Sequence, residues 1–286
     1  RLQFVTPEFD MPEGGLNIRL IDTPQAQEAR IIDHKCRAVQ AFARANRMDK
    51  RVLGQAGAKI GFVAAGKNWL DLAHAMQVLG IDQQAAVRHS VTTYKVAMTW
   101  PLDMKSFSEW SEGLDCIVVV EEKRKLIESQ IKEALFNQKG SRRVFGAQDA
   151  QGALLFADNY ALDPMVVAQK LGQILITEGC GSARLTGALE RIDAAHTANN
   201  APTLASRVPY FCSGCPHSSS TKIPEGSRAY SGIGCHYMVQ WMDRDTLGFT
   251  QMGGEGANWI GESLFSTRSH VFQNIGDGTY NHSGIQ

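Results

Sequence analysis

Between Lys59 and Ala147 the chain changes element type at short, regular intervals, and this alternation limits the fold more than any other feature. KIGFVAAG from Lys59 is a short apolar run that reads as a buried strand. NWLDLAHAMQVLG has helical spacing and stops at Gly80. TTYKVAM reads as a second strand, ended by Trp100-Pro101, and DMKSFSEWSEG as a helix. CIVVVEE gives a third strand, KLIESQIKEALF another helix, and RRVFGA a short fourth strand. Strands that alternate with helices pair in parallel, because each helix carries the chain back across the sheet. The expected fold class is α/β, with a doubly wound sheet.

The rest of the chain is organised around that block. Residues 1–15 are polar, with two prolines and a Gly-Gly pair, and read as a linker. Thr23 and Pro24 suit a helix N-cap and first turn. Ile32, Cys36, Val39 and Ala43 then recur at helical spacing, which places Cys36 on an apolar face as a packed thiol. Asp163-Pro164 opens a helix through MVVAQKLGQIL, and a further helix runs from beyond Cys180 to near His196. TANNAPTLASRVP is polar, with turn residues and two prolines, and marks a domain boundary. The expected division is 1–50, a linker and helix; 51–200, the α/β domain; and 201–286, the beginning of a second domain.

Composition excludes some classes. Lys and Arg together number 29, as do Asp and Glu, so no charge excess argues for nucleic acid. No apolar run approaches membrane-spanning length, and the polar opening has no signal-peptide character. A cytoplasmic location is expected. In a reducing compartment, close thiols read as metal-binding or redox-active.

Two motifs look chemical but have plainer readings. GFVAAGKN approaches a phosphate-binding loop, G-x-x-x-x-G-K-[ST]. However, Asn68 stands where a magnesium-binding hydroxyl is needed, and the residues between the glycines belong to a strand. Glu121 and Glu122 are adjacent on a strand and point to opposite faces, so they cannot form one acid–base pair. They read as caps or contact residues. Cys116 reads as core, and His34, His74 and His89 as structural or surface residues.

Two other signals carry chemistry. Cys212 and Cys215 form a C-x-x-C, and Cys235 follows after nineteen residues, inside SGIGCH. Such thiolates can wrap one metal. Zinc would take His217 or His236 as a fourth ligand. A [4Fe–4S] cluster would ask for a fourth cysteine. The spacing alone favours zinc, and a redox dithiol is a third reading. The second signal is Gly276-Asp277-Gly278 after an apolar strand. Asp at a strand's carboxyl end stands at a ligand crevice. Flanking glycines let a diphosphate approach, and the carboxylate suits Mg2+. The same tripeptide also fits an ordinary turn. A metal centre beside a magnesium diphosphate anchor points to thiamine diphosphate, which stabilises carbanions, with an electron acceptor nearby.

PYFCSGCPHSSSTKIPEGSRAYSGIGCHYM, TQMGGEGANWIG and VFQNIGDGTYNHSG closely resemble the thiamine-diphosphate domain of indolepyruvate ferredoxin oxidoreductases, within the wider 2-oxoacid:ferredoxin oxidoreductases. GFVAAGKNWLDLAHAMQVLGID and VVVEEKRKLIESQIKEALFN resemble the same family's middle domain, which is similar to the C-terminal domain of transketolases. The resemblance runs from about Ile18 to the end. It implies a [4Fe–4S] cluster on Cys212, Cys215 and Cys235, and Mg2+ on Asp277. It also implies thiamine diphosphate beside Gly276 and Gly278, with Gly232, Ile233, Gly234 and His217 near it. The implied reaction is oxidative decarboxylation of an arylpyruvate, with coenzyme A as cosubstrate and ferredoxin as electron carrier, in a homodimer.

The sequence also departs from the family pattern. It lacks the further Mg2+ ligand well beyond Gly-Asp-Gly, the pyrimidine-binding domain and a fourth cluster cysteine; Cys180 lies across the linker. The chain therefore reads as an internal part of a longer fused polypeptide, inactive alone and completed by that polypeptide's other domains. Two alternatives stay open: a zinc-stapled α/β docking module, and a thiamine enzyme without redox chemistry.

Overall fold

The structure is a computed structural model that describes residues 3–138, 142–199 and 207–284. The chain divides into two compact units, Arg1–Ala201 and Pro202–Gln286. The linker expected at 197–209 lies largely outside the described residues, as do the domain edges expected at 200 and 201.

In the first unit, Thr23 accepts a hydrogen bond from the Ala26 N–H at 3.3 Å, and Pro24 fills the first helical position. The helix runs as α1 (Pro24–Arg30), a π-helical turn (Ile31–Lys35) and α2 (Cys36–Ala45). The apolar face expected here is not covered. Ile32 is 57% and Val39 39% exposed, Cys36 is half-buried, and only Ala43 is buried. Helical spacing shows which residues share a stripe. It does not supply a partner for that stripe. Arg44 grips the buried Asp103 through two hydrogen bonds and ties α2 down.

The elements that follow are β1 (Lys50–Arg51), β2 (Ile60–Ala65), α3 (Gly66–Val78), α4 (Gln83–Arg88), β3 (Val91–Val96), α5 (Met104–Trp110), β4 (Cys116–Val120), α6 (Leu126–Leu135), β5 (Arg143–Phe145), α7 (Pro164–Thr177) and α8 (Ala183–Asn199). The sheet order is β1-β3-β2-β4-β5. β2, β3, β4 and β5 pair in parallel, and β1 adds an antiparallel edge. The α/β class and parallel sheet expected from the alternation are present.

Helices cover both faces of this sheet, so its central strands β2 and β4 read as unbroken apolar runs. Phe62, Ala64, Val118 and Val120 face Leu72, Met76, Leu171 and Leu175 of α3 and α7. Val63, Tyr94, Ile117 and Val119 face Phe107, Trp110, Ile127 and Ile131 of α5 and α6. Cys116 is fully buried, and burial pushes its thiol up to about 12. It is core, as expected.

Among the parallel strands, the second, first, third and fourth in chain order lie side by side, so the order reverses between β2 and β4. A crevice at the strands' carboxyl ends forms at such a point. Here the protein fills it with its own side chains. Lys67 Nζ donates to the Leu162 carbonyl at 2.7 Å and pairs with Asp71 at 2.9 Å and Glu122 at 3.3 Å. Glu122 also accepts from the Leu162 N–H at 2.9 Å. Glu121 turns the other way and caps α6, accepting from the Ile127 N–H at 2.9 Å. Residues 61–65 are strand rather than a phosphate loop.

The Leu162 N–H, then the Asn68 amide and the Lys67 ammonium, hold the Glu122 carboxyl below its usual value. A lowered carboxyl stabilises the fold fully above its unfolded value of about 4.3 and loses that contribution as pH falls from there through the lower value it has in the folded protein. Glu122→Gln is therefore expected to cost about 1 kcal/mol at pH 7, allowing for screening at half-exposed Lys67. Denaturant unfolding of both proteins at pH 7 and pH 3 checks this, because the difference should shrink in acid.

Candidate functional site

The second unit is built on very short strands. β6 (Ala229–Tyr230) pairs in parallel with β7 (Phe272–Gln273), with Ala229 opposite Phe272 and Tyr230 opposite Gln273. On the other side of β6, Thr246 forms a parallel bridge with Ala229. The Leu247 N–H donates to the Ala229 carbonyl and the Ser231 N–H to the Gly248 carbonyl, both at 3.0 Å. The side-by-side order is again second, first, third, so the reversal falls between β6 and β7.

The loops leaving these two strands are the two glycine motifs. Gly232-Ile233-Gly234 follows β6, and Gly276-Asp277-Gly278 follows β7. The Asn274 N–H donates to the Tyr230 carbonyl at 3.1 Å, which carries the pairing to the loop bases. A Cβ on Gly232 would lie 2.6 Å from the Asn274 carbonyl oxygen, and one on Gly276 3.3 Å from that of Ile233. These two glycines let the loops touch. Gly234, at φ +102°, and Gly278 face open space, where a ligand can approach the backbone.

Asp277 begins the short helix α11 (Asp277–Thr279) and is exposed. No described residue donates a hydrogen bond to its carboxylate, which leaves it free for a cation. Among the described residues, three buried polar atoms on or beside these loops have no hydrogen-bond partner: His236 Nδ1, Gln273 Oε1 and Thr279 Oγ1. Thr279 is 1% exposed. Orphaned buried polar atoms beside a glycine-lined opening suit a polar ligand.

Cys212 and Cys215 sit on one tight turn, closed by the Cys215 N–H to the Cys212 carbonyl at 3.0 Å. Gly214 takes φ +75° at the third turn position, where a side chain would be strained. The four-residue helix α9 (His217–Ser220) follows. Arg244 holds it, donating to Thr221 Oγ1 at 2.6 Å and the Ser218 carbonyl at 3.1 Å while its guanidinium lies over the Phe211 ring. Nothing in the sequence pattern marks Arg244 for this role, because its partners are mostly backbone atoms far away in the chain.

Cys235 opens a 3-10 turn (Cys235–Trp241) directly after Gly234. The next residue, His236, packs edge-on against His217, with ring centroids 4.3 Å apart. This contact joins the C-x-x-C segment to the Gly-Ile-Gly loop. Burial, then the neighbouring His217, pushes the His236 imidazole below its ordinary value.

Cys212 and Cys235 are exposed and Cys215 is half-buried. Among the described residues, no three His, Cys, Asp or Glu side chains gather as a metal cage. The thiols stand on two neighbouring loops and do not form a ready-made ligand set. Cys180 belongs to the first unit, and its thiol donates to the His89 carbonyl at 3.2 Å. Replacing Arg244 with alanine should free α9 and the turn before it, so Cys215 should be alkylated roughly tenfold faster, measured by mass spectrometry.

Comparison with known proteins gives a consistent picture. Subunit IorA of indolepyruvate oxidoreductase from Methanothermobacter marburgensis is 24% identical over 270 residues, covering 90% of this chain and 39% of the relative. The chain thus spans about two fifths of that relative's length. Among solved structures, a 2-oxoglutarate:ferredoxin oxidoreductase from Magnetococcus marinus, with 2-oxoglutarate, coenzyme A and succinyl-CoA bound, overlaps 54% of this chain and 24% of its own, with TM-score 0.34 and 12% identity. An inactive split-gene transketolase tetramer overlaps 50% and 41%, with TM-score 0.29 and 12% identity. Structural scores this low carry no weight here. The decisive match is a family model described as the indolepyruvate oxidoreductase domain, which covers residues 50–199. That span holds the whole sheet of the first unit and more than half of the chain, and the chain belongs to the indolepyruvate oxidoreductase family.

Proposed function

We propose that this chain forms part of a thiamine-diphosphate-dependent enzyme that oxidatively decarboxylates arylpyruvates such as indolepyruvate to aryl-acetyl-CoA, with ferredoxin as electron carrier. The observation that carries this reading is the meeting of two glycine loops at the carboxyl ends of β6 and β7, the place where parallel sheets bind ligands. Gly234 and Gly278 give a diphosphate room against the backbone. The free Asp277 carboxylate supplies a hard oxygen for Mg2+. Gly232, Ile233 and Gly276 fix the loop spacing, and His217 with His236 walls the side towards the thiols.

Thiamine diphosphate, when bound, supplies the carbanion stabilisation that decarboxylation needs. The protein's part is to hold and orient it. The Thr279 hydroxyl and His236 Nδ1, both buried and unpartnered, are among its available hydrogen-bonding groups. Cys212, Cys215 and Cys235 are the proposed ligands of a [4Fe–4S] cluster. The remaining domains of a longer polypeptide, a second copy in a homodimer and coenzyme A complete the proposal. Among the described residues no helix is long and apolar enough to cross a membrane, which agrees with the proposed cytoplasmic location.

The test is the intact protein purified without oxygen. About four irons and four sulfides per chain, with indolepyruvate turnover coupled to an added electron acceptor, supports the proposal. Stoichiometric zinc without iron, or no turnover of any 2-oxo acid, overturns it.

A further inference from the structure

We propose that the first unit carries a separate binding site for an arylalkyl carboxylate, between α3 and the first turn of α8. A cleft of about 350 Å³ opens there. Trp69, Leu72, Met76 and Ile81 form its floor, all at most 9% exposed, and Leu53 closes one side. A volume of this size lies within the range of small-molecule sites. The lining is almost wholly hydrocarbon, so the body of a ligand must be apolar. The aromatic wall suits a flat ring, which stacks against indole with more gain than its area alone gives.

The mouth supplies the complementary charge. Arg184 lines it, and among the described residues its guanidinium makes no hydrogen bond or ion pair. Gly80 holds it in place: a Cβ there would lie 2.2 Å from Arg184 Nε, and the backbone is at φ +73°. Only glycine combines that backbone with that contact. The Asp82 carboxylate also lines the cleft; it caps α4, accepting from the Ala85 N–H at 2.8 Å, and lies within electrostatic reach of Arg184 without an ion-pair contact to it. Lys95 Nζ, 5.9 Å from the Trp69 ring centroid, adds a second positive charge beside the aromatic wall. A planar guanidinium recognises a carboxylate through two parallel hydrogen bonds, so the ligand is an acid with an aromatic tail.

This site lies wholly in the first unit and does not depend on the thiamine reading. Its residues belong to a different sheet from the glycine loops.

The experiment titrates the intact protein with indole-3-propionate, which has the ring and the carboxylate but no 2-oxo group to react. Calorimetry reads binding in the presence of saturating thiamine diphosphate and Mg2+. Saturable binding is expected, weakened about tenfold by Arg184→Gln and by exchange of the probe for its neutral amide. Ala73→Trp, at an exposed helical position on the rim, should abolish it. The proposal falls if millimolar probe shows no saturation, or if both variants bind as the wild type does. Iron content and 2-oxo acid turnover are read separately, so failure here leaves the proposed function standing, and the reverse also holds.

Discussion

If the glycine loops hold thiamine diphosphate as proposed, Gly232→Val should abolish that binding while the first unit stays folded. The effect is steric. A Cβ at this position lies 2.6 Å from the Asn274 carbonyl oxygen, 3.1 Å from its carbon and 3.0 Å from His236 Nδ1. Two of these three atoms are backbone, so no rotamer change relieves the clash, and the loops after β6 and β7 must separate. Forcing side-chain atoms into a closely packed contact costs about 1–3 kcal/mol, which is roughly five- to a hundredfold in an equilibrium constant. Affinity should therefore drop at least that far, read by tryptophan fluorescence during titration with the cofactor. Gly261→Ala is the control. It lies in α10 (Ala257–Glu262), where a Cβ meets open space, and should bind as the wild type does. If the valine variant binds within a few-fold of wild type, the two loops do not form the cofactor cradle.

Glu128→Ala should strongly destabilise the first unit. Glu128 lies on α6 with a side chain 5% exposed. One oxygen accepts from the Ala147 N–H at 2.9 Å and the other pairs with Lys132 at 2.5 Å. The carboxylate packs so closely on Gly146 that a Cβ there would lie 2.1 Å from it. Truncation leaves the buried Ala147 N–H without an acceptor, which costs about 1–3 kcal/mol. The emptied space adds about 1 kcal/mol more. A loss of roughly 2–4 kcal/mol in denaturant unfolding is expected. Glu128→Gln keeps an acceptor and should recover about half of it. Equal losses in the two variants would show that the hydrogen bond to Ala147 contributes nothing.

These predictions differ in how far the sequence could have led to them. β2 and β4 were legible because helices bury both of their faces, which makes each an unbroken apolar run, whereas β3 was read from its β-branched and aromatic residues around Thr92, Thr93 and Tyr94. β1 was not, since Lys50 and Arg51 are both charged and carry no apolar pattern; they join the edge through backbone pairing and the Arg51 guanidinium, which donates to Thr92 Oγ1. The α2 stripe was legible as a stripe, but its exposure was not. In the second unit, strands of two residues fall below any periodic signal. The Thr246 segment, and with it the reversal of strand order, appears only in the folded chain.

The sequence by itself determined the alternating parallel architecture of the first unit and the residue types at the glycine loops, because local propensity and backbone freedom are written residue by residue. Only the tertiary structure decided that one reversal point would be filled by Lys67 and Glu122 and the other left open between Gly234 and Gly278. That choice depends on which distant side chains meet at the ends of neighbouring strands, and the order of strands in a sheet is set by packing between segments, not within them.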